Sequence, residues 1–214
     1  MRPGGHQIVP RPANWAPGPP PAWEPGATTT LDAVLESVPS TGRPLVPEFD
    51  GARHSAVLLA LTEDERGPEV LLTRRSWRLR HHRGEISFPG GRMDPGETPT
   101  DTALREAHEE VGLDPGAVDV RGELTHLNTV VSRSYIVPKV ATVAERLDLR
   151  GRTMEVDRVM WVPLAELTRP DTYRSEVWGF GGVERTLHFF QLDDETVWGA
   201  TAAMLVDLLT RSLT

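Results

Sequence analysis

The stretch Gly90 to Leu113, GGRMDPGETPTDTALREAHEEVGL, carries six carboxylates in 24 residues. Glu106, Glu109 and Glu110 stand at i, i+3 and i+4, so on a helix their side chains emerge on one face. Like charges at that spacing repel and destabilise a helix. A divalent cation would offset the repulsion, and hard carboxylate oxygens suit Mg²⁺ or Mn²⁺; a solvated acidic face is the alternative reading. Arg105 lies among these acids and can pair with Glu97 or Glu109 to hold them in register. Upstream, FPGGRMDPGE supplies glycines where a backbone carbonyl can approach a metal.

The segment just before it has the opposite sign. Between Arg74 and Arg83 there are five arginines and two histidines, with no acid among them, in a chain of formal net charge −8. Guanidinium forks bind phosphate in a bidentate way, so these residues point to a substrate with several phosphates. A charged surface loop balancing the acidic helix is the alternative reading of the same composition.

Elements must hold these groups. Thr98 reads as an N-cap, Pro99 suits the first helical position, and Asp101 completes a capping box. Gly112 reads as the C-terminal stop. Leu104, Ala107 and Val111 form an apolar stripe that can pack on a sheet. Strands are expected at 55–61 and 69–74, and again at 123–131, 134–143, 156–162 and 185–192. Short helices are expected at 31–38 and 163–167, and a closing helix at 195–213. The mixture predicts an α/β sandwich.

Twelve of the first thirty residues are Pro or Gly, which predicts an extended or disordered arm over 1–30. Trp15 and Trp23 are aromatics of a kind that dock on surfaces, although composition alone is the expectation for both. A short helix and linker fill 31–52, and the folded domain is expected over 53–214. The net charge argues against nucleic acid or an anionic membrane as partner. No cysteine is present, and no apolar run is long enough for a membrane span, so a cytoplasmic location is expected. A homodimer is carried as an expectation, without a sequence feature that fixes it. His108, His126 and His188 are read as solvent-facing or structural, and no histidine cluster suits zinc.

Gly91, five residues, Glu97, seven residues and then Arg105-Glu106-Ala107-His108-Glu109-Glu110-Val111-Gly112-Leu113 is similar to the complete Nudix box. Every defined position is filled. The resemblance implies the Nudix fold, a mixed-sheet α/β/α sandwich whose box forms a loop–helix–loop. It also implies hydrolysis of a nucleoside diphosphate linked to another moiety. By the same resemblance Glu106, Glu109 and Glu110 are metal ligands, with the Gly91 carbonyl a further one. Glu97 supports or joins the cluster, and Arg105 orients it. The general base is left open among Glu106, Glu109 and Glu155.

Residues 71–91, LLTRRSWRLRHHRGEISFPGG, resemble the LLTxRSxxLRxHxGxVxFPGG signature of the coenzyme A diphosphatase branch, with Ile86 in place of valine. That resemblance implies cleavage of coenzyme A, or an acyl or oxidised form, into 3',5'-ADP and 4'-phosphopantetheine. Arg75, Arg80 and His82 fill signature slots and are the expected substrate contacts. Arg74, Arg78, His81 and Arg83 occupy variable slots. The segment Trp198-Gly199-Ala200-Thr201-Ala202 is also similar to one in this branch. ADP-ribose or NADH as substrate is the alternative within the family, and a ligand-sensing module without turnover is the alternative outside enzymology.

Overall fold

The computed structural model describes residues 1–44, 47–129, 133–180 and 182–214. In chain order, a short strand β1 (Trp15–Pro17) and helix α1 (Leu31–Ser37) precede the long strands β2 (Arg53–Asp64) and β3 (Gly67–Arg75). Two short strands, β4 (Ile86–Ser87) and β5 (Gly90–Arg92), lead into helix α2 (Pro99–Val111). Strands β6 (Val118–Glu123), β7 (Leu127–Thr129), β8 (Ser134–Val143) and β9 (Val156–Pro163) follow, then helix α3 (Leu164–Leu167). The chain closes with β10 (Tyr173–Phe180), β11 (Val183–Gln191), β12 (Thr196–Trp198) and helix α4 (Gly199–Leu213).

The central sheet is mixed. Its main path runs β4-β3-β2-β8-β6, with β5 on β2, β7 on β8 and β9 on β3. Strands β2 and β8 are parallel, with Ala56 opposite Val137 and Leu58 opposite Lys139, while the neighbouring pairs are antiparallel. Both faces of this sheet are buried, which is why β2 and β3 read as continuous apolar runs. Side chains alternate along a strand. Leu59 and Leu61 therefore join the core under α1 and α4, while Ala56, Leu58 and Ala60 meet Ala103, Ala107 and Val111 of α2. Helices on the two faces make the expected α/β/α sandwich.

Three features add to or depart from the sequence reading. First, a second sheet, β1-β10-β11-β12, stands beside the central one. Second, the closing helix starts at Gly199, because Thr196–Trp198 pairs with Phe189–Gln191 and Gly199 turns the chain at φ +65°. Third, the N-terminal arm runs extended against the folded body. Trp15–Pro17 pairs with Glu176–Trp178, and Arg2 forms ion pairs of 2.5 Å with Glu166 and 2.6 Å with Asp193. Trp23 is 3% exposed in the core beside Tyr173 and Phe190. Counting Pro and Gly measures the backbone's freedom and misses these partners, since burying one large aromatic stabilises by roughly 4 kcal/mol.

The expected strand at 123–131 is divided, because β6 ends at Glu123 and β7 spans Leu127–Thr129; residues 130 and 131 lie outside the described residues. No helix among the described residues is long and apolar enough to cross a membrane.

Candidate active site

Helix α2 has the ends its sequence encodes. The Thr98 hydroxyl accepts the Asp101 N–H, the Asp101 carboxylate accepts the Thr98 N–H, and Gly112 is left-handed at φ +78°. Ala103, Ala107 and Val111 face the sheet and are buried. That orientation turns Glu106, Glu109 and Glu110 along the flank of the helix, toward the strand that carries Gly90 and Gly91.

Arg105 is the hub of the acids. Its Nε and Nη2 donate to the two oxygens of Glu97 at 2.7 and 3.0 Å. Its Nη1 donates to Glu106 at 2.9 Å and Glu109 at 3.3 Å, and Nη2 also reaches the Arg92 carbonyl at 3.2 Å. Glu97 further accepts from the Asp94 N–H at 2.9 Å and the Thr102 hydroxyl at 2.7 Å. The Arg105 guanidinium, together with these two donors, holds the Glu97 carboxyl down at about 2. Four donors fill its two oxygens, so the geometry favours Glu97 as the anchor of Arg105 over a direct ligand.

Glu110 behaves differently. Its carboxylate is 8% exposed and accepts the Gly90 N–H at 3.2 Å. Burial pushes its carboxyl up to about 7, and the nearby Glu106 adds to the rise. Burial also raises Glu106 above the ordinary carboxylate value, opposed by Arg105. Gly91 packs closely beside this pair: a Cβ there would sit 2.3 Å from Glu106 Oε1, so the carboxylate would have to shift. The backbone of β5 thus lies directly against the Glu106 carboxylate.

This donor set suits a hard divalent cation: all-oxygen groups, two of them desolvated, beside a bare backbone. Among the described residues, no three His, Asp or Glu side chains stand as a ready-made cage. The reason is visible in the bonding. Arg105 Nη1 draws Glu106 and Glu109 toward itself, while its bonds to the two oxygens of Glu97 keep Arg105 in place.

The arginine stretch forms a loop between β3 and β4. The Arg75 N–H donates to the Glu85 carbonyl at 2.9 Å and the Gly84 N–H to the Arg75 carbonyl at 3.0 Å, which pinches the loop at its base. Its leading edge is tied to the start of β9, by Ser76 N–H to the Glu155 carbonyl at 2.7 Å and Trp77 N–H to the Asp157 carboxylate at 3.0 Å. Arg75 reaches Glu155 at 3.4 Å. The charges of Arg75 and Glu155 both act on the Glu110 carboxyl, in opposite senses. Of the arginine stretch, Arg75 thus comes near enough to the box for its charge to act on Glu110.

Arg80 and His82 are exposed on the outer part of this loop and form no hydrogen bond or ion pair with the box acids. His82 sits in the left-handed region at φ +54°, its Nδ1 2.9 Å from Glu85, which raises its pKa. Arg74 turns away to the buried Glu195 at 2.8 Å. A shallow cleft of about 570 Å³, lined by His54, Met93, Pro95 and Glu97 among others, borders the box on the Glu97 side.

Sequence reasoning missed Gln7, Arg158 and Glu195, which back the arginine loop from behind. Gln7 lies in the Pro-rich arm and Glu195 in a stretch read as helix, so neither carried a local signal. The histidines behave as structural groups: His126 Nδ1 lies 2.7 Å from the Tyr135 hydroxyl and His188 Nδ1 2.8 Å from that of Tyr173.

Comparison with known proteins agrees with this arrangement. The family model of the NUDIX domain matches residues 52–179. Nudix hydrolase 3 of Caenorhabditis elegans is 35% identical over 196 residues, spanning 82% of this chain and 80% of its own length. A NudL Nudix hydrolase of Photorhabdus laumondii is 37% identical over 161 residues, 74% of this chain and 84% of its own. A MutT/nudix family protein from Enterococcus faecalis shares the fold, with a TM-score of 0.51 over 78% of this chain and 64% of its own, at 17% identity. The chain belongs to the NUDIX family and is a Nudix hydrolase, an enzyme that cleaves the diphosphate bond of nucleoside diphosphate derivatives.

Proposed function

We propose that this enzyme hydrolyses the diphosphate of coenzyme A or its acyl or oxidised derivatives, giving 3',5'-ADP and 4'-phosphopantetheine or its derivative, with Mg²⁺ or Mn²⁺. The observation that carries the reading is the arginine loop: it matches the branch signature, and it stands where the Arg75 charge acts on Glu110. Extra guanidinium groups beside a diphosphate-cleaving centre suit a substrate with a third phosphate, which coenzyme A has and ADP-ribose and NADH lack.

In this mechanism Glu106, Glu109 and Glu110 hold the metal, with the Gly91 carbonyl as a further oxygen. When bound, the cation neutralises the diphosphate and lowers the pKa of a water. Arg105, anchored by Glu97, would keep the acids in register around the bound cation. Arg75 binds the diphosphate and stabilises charge on the departing phosphate, while Arg80 and His82 bind the third phosphate. A carboxylate takes the proton of the attacking water; Glu106, Glu109 and Glu155 are the candidates. Glu155 has the advantage of lying outside the ligand set, and its exposed carboxylate is held at Arg75.

Substitution of Arg80 or His82 by alanine tests the substrate assignment. The expected outcome is a fall in kcat/KM for coenzyme A of about tenfold or more, since charged hydrogen bonds contribute roughly 1.5–3 kcal/mol, with ADP-ribose much less affected. Equal losses on both substrates contradict the assignment of the loop to the third phosphate.

A further inference from the structure

The N-terminal arm touches the arginine loop through one buried side chain. Gln7, 9% exposed, uses its whole amide. Its Nε2 donates to the Gly84 carbonyl at 3.0 Å and to Glu195 Oε2 at 2.6 Å, while its Oε1 accepts the Thr196 N–H at 2.7 Å. Only one amide orientation satisfies this set, because two neighbours are acceptors and the third is a donor. The other oxygen of Glu195, itself 1% exposed, accepts from Arg74 and Arg158, each at 2.8 Å. Arg158 is held in turn by Asp194 at 2.6 Å.

Gly84 is the point at which such a contact has most effect. Its N–H is committed to the Arg75 carbonyl, its φ is +71°, and Trp77 packs so close that a Cβ would lie 2.4 Å from the indole. Gln7 fixes its remaining polar group. Gly84 follows His82 by two residues and Arg80 by four, so the amide of Gln7 restrains the limb of the loop that presents them. Arg74, at the loop's other end, is restrained by the same Glu195.

We propose that Gln7 is a positioning residue for the arginine loop, and that the N-terminal arm is thereby part of the substrate site. The inference rests on the reading of that loop as the phosphate-binding element. Ordering the loop in advance removes a conformational penalty from binding, so the effect falls on KM and leaves kcat. Gln7 touches no reacting group and acts only through Gly84 and Glu195.

The test compares the full-length protein with its Gln7→Ala and Gln7→Met variants; methionine keeps the volume and removes the polar atoms. Amide hydrogen exchange is read across residues 77–85 and across β2 and β8, beside kcat and KM for coenzyme A and ADP-ribose. The expected result is about tenfold faster exchange in the loop, unchanged protection in β2 and β8, and a KM for coenzyme A raised about tenfold with kcat within twofold. Loop exchange and KM unchanged in both variants overturn the proposal even if coenzyme A is the preferred substrate. Protection lost throughout β2 and β8 in both variants makes Gln7 a residue of the fold and also overturns it. Loop exchange that responds in a protein preferring ADP-ribose sustains the strap and rejects the coenzyme A reading alone.

Discussion

Replacing Trp23 tests whether the arm belongs to the folded body. The indole is 3% exposed, with its centroid 5.2 Å from Tyr173 in an edge contact and 6.4 Å from Phe190 in a stacked one. Truncating a buried aromatic to alanine costs about 3–5 kcal/mol. Against this, Trp23 Nε1 is buried with no hydrogen-bond partner among the described residues, and an unpaired buried N–H carries a penalty of about 1–3 kcal/mol that substitution removes. The expected net loss for Trp23→Ala is about 2 kcal/mol. Trp23→Phe removes the same N–H, keeps most of the ring and should cost less than about 1 kcal/mol. For a chain of this size, 2 kcal/mol is a fall of about 4–8 °C in Tm. Urea unfolding followed by circular dichroism measures both variants. An alanine variant within about 0.5 kcal/mol of wild type places the indole outside the core and frees the arm. A phenylalanine variant as unstable as the alanine one refutes the balance between packing and the unpaired N–H.

Three further outcomes follow from the site. Arg105→Lys keeps the charge but loses the fork that reaches Glu97, Glu106 and Glu109 together, so activity should fall about 10–100-fold with an unchanged circular dichroism spectrum; a drop below threefold contradicts the hub. The pairing with Glu85 raises the His82 pKa, so the stabilisation is fully present below the unfolded value of 6.5 and is lost as pH rises through the folded value. An NMR titration should place the His82 midpoint above 6.5, and Glu85→Gln should lower it; a midpoint unmoved by that substitution refutes the pairing. Mg²⁺ at a hundredfold excess over its Kd should stabilise the wild type by about 2.7 kcal/mol, and Glu110→Gln should largely remove that gain together with turnover. A folded variant with full activity contradicts Glu110 as a ligand.

The box helix was legible because its ends and its packing are both local. Thr98, Pro99, Asp101 and Gly112 delimit α2, and Ala107 and Val111 of the expected stripe meet the sheet, with Ala103 fully buried and Leu104 only partly so. The same holds for β8, whose apolar run coincides with Ser134–Val143. Strand β10 was not legible. It carries Arg174 and Glu176, and hydropathy reads such residues as exposed. Glu176 is nevertheless 2% exposed, because Arg11, Arg174 and the Trp178 indole N–H surround it. Its partner Arg11 comes from the other end of the chain, which no window on β10 contains.

The site divides along the same line. Glu97, Arg105, Glu106, Glu109 and Glu110 sit within one loop and helix, and their spacing predicts their proximity. Arg75 lies where β3 shifts register against β9, and Gly90 packs closely on Ala56 and Val57. These are tertiary facts with no signature of their own. Gln7 is the extreme case: a single glutamine in a Pro-rich arm, meaningful only once Gly84, Glu195 and Thr196 have been brought around it.

The decisive measurement is hydrolysis of coenzyme A beside ADP-ribose and NADH, with Mg²⁺ or Mn²⁺ and with products resolved by mass. The account predicts 3',5'-ADP and 4'-phosphopantetheine, with kcat/KM highest for coenzyme A and no turnover after chelation of the metal. Preference for ADP-ribose or NADH leaves the acidic helix as described and contradicts the role given to Arg80 and His82. No turnover of any of the three by the folded, metal-supplied protein contradicts the proposed reaction itself.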